Sequence, residues 1–85
     1  MTLRIQKLRD SQVVVFTLSG HINAEEVVDL QNLLEVEGQH HRIVLNLEEV
    51  TLVDRDAVKF LAQSEAEGIQ LKNCPTYIRE WIVKE

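Results

Sequence analysis

The run Ile43-Val44-Leu45-Asn46-Leu47, opened by Arg42, most limits what this chain can become. A nearly continuous apolar stretch of that length reads as a strand covered on both faces, inside a sheet that carries parallel pairs. Helical spacing appears on either side of it. Val27, Leu30, Leu33 and Leu34 recur at three and four residues, which predicts an amphipathic helix from about Ala24 to Val36. Asn23 is its N-cap, Glu26 the reciprocal capping partner, and Gly38 its stop. Beyond the run, Asp54 is placed to cap a second helix carried by Ala57, Val58, Phe60, Leu61 and Ala62, ending near Gly68.

The flanks complete the pattern. Leu3, Ile5 and Lys7 alternate with Arg4, Gln6 and Leu8, an edge-strand signature. Asp10 and Ser11 make a turn into Val13–Ser19, a β-branched and aromatic strand that Gly20 ends, and the two strands form an antiparallel hairpin. Ile69 and Leu71 alternate with Gln70 and Lys72 as a short fourth strand. Pro75 suits the first turn of a last helix with the apolar stripe Tyr77, Ile78, Trp81 and Ile82. In so short a chain the single tryptophan is expected inside. The order β-β-α-β-α-β-α predicts an α/β fold: a four-stranded mixed sheet, antiparallel at one edge, packed by helices.

Eighty-five residues fit one domain, expected to span 1–85. Nine basic against fourteen acidic residues leave a net charge of −5, which argues against a nucleic-acid or anionic-membrane surface. Cys74 is the only cysteine, so neither an internal disulfide nor a Cys-rich zinc site can form. No apolar stretch approaches a membrane span, and Met1–Lys7 lacks the apolar centre of a secretion signal. A cytoplasmic location is the expectation.

Two strand-to-helix junctions could carry chemistry, since ligands collect where helix-start amides point outward. The first, Gly20-His21-Ile22-Asn23-Ala24-Glu25, has one glycine and no P-loop spacing, so a helix cap is the better reading than a phosphate cradle. The second is Thr51-Leu52-Val53-Asp54-Arg55-Asp56-Ala57. Asp54 as a receiver-type phosphoacceptor would need acidic magnesium ligands on an earlier strand end, and Ser19-Gly20 supplies none. His40 and His41 are adjacent and read as a solvated loop, and no second pair stands at metal-ligand spacing. Cys74 lacks a nearby base and reads as a helix-start or core residue. No catalytic set, metal site or cofactor is expected. A small-ligand or nucleotide-binding domain using the helix-start amides near Asn23 and Asp54 is the alternative function from this reading.

The ordered series of segments resembles the STAS domain, the module of bacterial anti-sigma-factor antagonists that is also found on anion transporters. The resemblance runs through Val13–Gly20, Ile22-Asn23-Ala24, Ile43–Asp54 and Gly68–Pro75, covering nearly the whole chain. The family's regulatory motif is Asp-Ser-Ser-Gly at the start of the second helix, where a partner kinase phosphorylates a serine or threonine. Asp54, Arg55, Asp56 and Ala57 stand at those positions. Arg55, at the phosphoacceptor position, has no oxygen to receive phosphate, and Asn23 stands where many members have aspartate. Thr51 and Ser64 are the remaining hydroxyl candidates, and neither fits the motif. The resemblance implies a constitutive protein-interaction module without enzymatic activity. Its docking face would include His21, Asn23, Asp54, Arg55, Asp56, Ala57 and Val58. The implied partner is an anti-sigma factor of the kinase type or the ATPase of an ABC-type transport system.

Overall fold

The computed structural model describes residues 3–39 and 41–84. The elements are β1 (Arg4–Asp10), β2 (Val13–Ile22), α1 (Ala24–Glu37), β3 (Arg42–Val53), α2 (Arg55–Ala66), β4 (Gln70–Lys72) and α3 (Thr76–Val83). The strands lie side by side as β1-β2-β3-β4, with β1 antiparallel to β2 and the other neighbours parallel. The expected four-stranded mixed sheet is therefore the observed one.

Pairing from Arg4 with Ser19 to Asp10 with Val13 leaves Ser11 and Gln12 as the hairpin loop, one residue later than the sequence suggested. Ser11 takes φ 56, the left-handed geometry that a two-residue connection uses to match strand twist. Burial along β2 alternates without a break: Val14, Phe16, Leu18, Gly20 and Ile22 are buried, and the residues between them are half-buried. Those buried side chains share one core with Leu45 and Leu47 of β3, Leu30 of α1, Leu61 of α2 and Ile78 of α3. All three helices thus lie on one face of the sheet. Each large aliphatic side chain enclosed there contributes roughly 1.5–3 kcal/mol.

Among the described residues the other face carries no helix, which corrects the expectation that β3 is covered on both sides. Val44 stays outside the helix-facing core and yet is only 8% exposed. Its register partners Val15 and Gln70 flank it across the sheet. A side chain between two neighbours at the centre of a sheet is shielded by them alone. The apolar run at residues 43–47 therefore reports a central strand, not a doubly covered one.

Most helix ends fall where expected. Gly38 closes α1, its N–H donating to Leu34 O at 2.8 Å. Gly68 follows α2 with φ +101, a conformation that side chains rarely adopt. Within α1 the buried residues are Val27, Leu30 and Leu34, while Leu33 is 41% exposed and belongs to the outer surface.

α3 departs further from expectation. Ile78 and Ile82 face the core, whereas Tyr77 and Trp81 are 39% and 46% exposed. A helix of eight residues presents one narrow stripe to its support, and the pair one position earlier lies about 100° round the axis. Tyr77 and Trp81 meet edge to face instead, with ring centroids 6.5 Å apart.

Candidate functional site

The carboxyl ends of β2 and β3 form the candidate site. Gly20 does not end β2; it sits inside the strand with φ 96, at a register irregularity, and the strand continues through His21 and Ile22. β3 advances by three residues from Asn46 to Glu49 while β2 advances by two from Thr17 to Ser19. It gains another residue opposite the Gly20–His21 step. Such bulges re-aim a strand end. Asn46 supports the first of them by accepting from Glu48 N at 3.1 Å. The two strand ends finish together, with Asp54 N donating to Ile22 O at 3.0 Å.

The two helix starts then diverge. Asn23 caps α1 as expected: its Oδ1 accepts from Glu26 N at 3.0 Å. Glu26 does not reach back to it, and its carboxylate accepts from Leu3 N at 3.0 Å, tying the approach to β1 onto α1. Asp54 occupies the N-cap position of α2 in extended conformation but makes no side-chain cap. Its Oδ1 lies 2.8 Å from His21 Nε2 instead. The structure therefore unites two residues that the sequence placed at separate junctions. The side chains of His21 and Asp54 are 23% and 43% exposed, so the pair forms part of the surface.

Arg55 and Asp56, about 100° apart round α2, line different grooves. Arg55 lines a groove of about 330 Å³ with Val58, Trp81 and Lys84. Asp56 lines a larger one, about 1050 Å³, between α1 and α2, with Val28, Glu35, Lys59, Glu67 and others. No ion pair joins Arg55 to Asp56 among the described residues. Ala57 is fully buried, and Val58, 2% exposed, reaches only the floor of the smaller groove. Of the residues expected at a docking face, Arg55 and Asp56 are exposed, His21, Asn23 and Asp54 are half-buried, and Ala57 and Val58 are buried.

The remaining candidates resolve by position. Ser64 is buried and donates to Phe60 O at 2.8 Å within its own helix, so its hydroxyl is closed to a kinase. Thr51 is exposed, and its carbonyl accepts from Tyr77 Oη at 2.8 Å. Burial pushes the half-buried Cys74 thiol above its ordinary range, with neighbouring Arg79 opposing. That is the opposite of nucleophile activation. His41 is not a solvated loop residue: its side chain is 21% exposed, with Nδ1 3.5 Å from Glu37 Oε2. His40 lies outside the described residues. Among the described residues no three His, Cys, Asp or Glu gather in a way that could hold a metal. None of their helices is long and apolar enough to cross a membrane.

Sequence reasoning missed Trp81 and Lys84 beside the α2 start. The signal was available: Ile78 and Ile82, four apart, complete the inward stripe of α3 alone.

No family model matches the chain, and no curated protein matches its sequence. Solved structures do match its shape. The anti-sigma factor antagonist SpoIIAA in its unphosphorylated form superposes with a TM-score of 0.67 at 18% identity, over 93% of this chain and 79% of that one. The STAS domain of an anti-sigma factor antagonist from Rhodobacter sphaeroides gives 0.64 at 13% identity, over 84% and 86%. A DUF3478-family protein with a SpoIIAA-like fold from Shewanella loihica gives 0.60 at 13% identity, over 96% and 74%. The chain therefore has the SpoIIAA-like fold, the fold of STAS-domain anti-sigma factor antagonists.

Proposed function

We propose that this chain is a non-catalytic, cytoplasmic interaction module that docks a protein partner through the starts of α1 and α2. The observation that carries this reading is the 2.8 Å contact between His21 and Asp54, which joins the two junctions into one surface. Asn23, Arg55 and Asp56 flank that contact. The SpoIIAA-like fold supports a protein partner, because two of the solved structures that superpose on this chain are anti-sigma factor antagonists.

Docking here is constitutive. In a phosphorylatable module, phosphate would add about −1.5 to −2 charges at this helix start and change its complementarity. Arg55 has no hydroxyl to accept phosphate. Asp56 adds a fixed single charge that lines the groove between α1 and α2 and is a poor imitation of phosphate. The partner is an anti-sigma factor of the kinase type or the ATPase of a transport system.

Affinity capture from host lysate, comparing wild type with an Arg55→Glu, Asp56→Lys double variant, tests the reading. Both side chains are exposed, so the variant is expected to fold. Loss of a partner that wild type retains supports the docking face. Equal capture by both proteins removes it.

A further inference from the structure

We infer that the groove between the start of α2 and the end of α3 receives an acidic peptide segment of the partner carrying an apolar anchor side chain. This deepens the reading above and rests on it. The groove is lined by Arg55, Val58, Trp81 and Lys84, and encloses about 330 Å³. Its chemistry runs against that of the whole chain, whose net charge is −5. Among the described residues the lining holds two cations and no carboxylate.

Glu80, beside Trp81 on α3, is exposed and lines neither groove, and the carboxylates at the start of α2 are directed elsewhere. Asp54 is held by His21, and Asp56 lines the groove between α1 and α2. The other cation of α3, Arg79, is neutralised by Glu65 at 2.7 Å. Arg55 and Lys84 are in no ion pair among the described residues. They bracket a half-exposed tryptophan whose own helix packs inward through Ile78 and Ile82. An exposed indole beside unpaired cations is an anchor site of the kind that carries binding energy at interfaces. The cations select acidic segments, guide their approach and make the association salt-dependent. The fit is to a short segment with one apolar side chain over Trp81 and carboxylates at either end.

Trp81 is the only tryptophan in the chain, so its emission reports occupancy directly. The test is selection of a random twelve-residue phage-displayed peptide library on the full chain, followed by titration of the enriched peptides while Trp81 emission is recorded. The expected result is enrichment of sequences that combine aspartate or glutamate with one aliphatic or aromatic residue. Their binding should shift Trp81 emission to the blue and weaken as salt is raised. It should fall about tenfold or more in an Arg55→Glu, Lys84→Glu variant. Trp81→Ala, which removes the reporter and is read instead by retention of the peptide on immobilised protein, should abolish binding, and both variants should melt near wild type.

Neutral or basic consensus sequences overturn the proposal, as does a lack of enrichment over bare support. Undiminished binding by the charge-reversed variant overturns it too. A blue shift that grows with protein concentration alone would assign the groove to a second copy of the chain, and also overturns it. The docking reading fails separately. If acidic peptides do not bind but the Arg55→Glu, Asp56→Lys variant still loses its natural partner, the docking face stands and only the acidic segment is withdrawn.

Discussion

The starts of α1 and α2 occupy equivalent places, each directly after a strand of the parallel pair, and each has a short polar residue in extended conformation at the N-cap. At α1 the cap is used inward: Asn23 accepts from Glu26 N, and Glu26 in turn holds Leu3 N. At α2 the equivalent side chain is turned away from its own helix to meet His21. One start is closed by its own residues, and the other gives up its cap to shape a surface. A local stabilising device forgone in this way is a mark of a place kept for something other than stability.

Exchanging cap for surface makes this difference measurable. The largest effect is expected on partner capture, where Arg55→Glu with Asp56→Lys should abolish retention while the melting temperature stays near that of wild type. Next comes stability. Asn23→Ala should cost about 1 kcal/mol, because a used N-cap is lost. For a domain of this size that lowers the melting temperature by about 4–8 °C. Asp54→Ala should cost clearly less, since no cap is lost and the His21 contact is partly exposed. Equal losses at the two positions would erase the contrast between the helix starts.

Acid sharpens the comparison from outside the site. Lys7 on β1 holds Glu37 at the end of α1, and its hydrogen bond lowers the Glu37 carboxyl below its ordinary 4.5. Arg79 on α3 does the same for Glu65 on α2, again chiefly by its hydrogen bond. A carboxyl with a depressed folded-state pKa stabilises above its unfolded value, and that contribution is lost as pH falls through the folded value. The melting difference between wild type and a Lys7→Ala, Arg79→Ala variant should therefore be present at neutral pH and shrink below about pH 4.5. It should be small throughout, because both pairs lie at the surface. A difference that persists unchanged into acid would show that these side chains act by packing. The smallest effect is kinetic: Cys74 should react with iodoacetamide more slowly than an unstructured cysteine peptide at the same pH, given its raised thiol.

Much of this architecture was legible in the residues because its signals are local. Asn23 marks a helix start by its side-chain cap, Gly38 a helix end where a Cβ would meet Leu34 O, and Gly68 the next end by its positive φ. The β-branched run at 13–19 and the apolar run at 43–47 mark the central strands, and element order then constrains the sheet. What stayed hidden depends on residues distant in sequence. Val44 reads as helix-covered until its neighbours Val15 and Gln70 are known. Asp54 reads as a cap until the bulges beside Gly20 bring His21 within 2.8 Å. Trp81 reads as core because a stripe of four apolar residues looks uniform, although the support of α3 accepts only two. The candidate site was thus located by its two junctions, while its shape required the fold.

Amide hydrogen exchange on the free chain and on the captured complex tests the contrast between the two helix starts most directly. In the free chain Glu26, whose N–H is held by Asn23, should be protected, while Ala57, at the same place after Asp54 and without a side-chain cap, should exchange faster. On partner binding, Arg55 and Asp56 should slow while Glu26 is unchanged. Equal protection of both helix starts in the free chain, with no change at Arg55 and Asp56 on binding, would contradict the account.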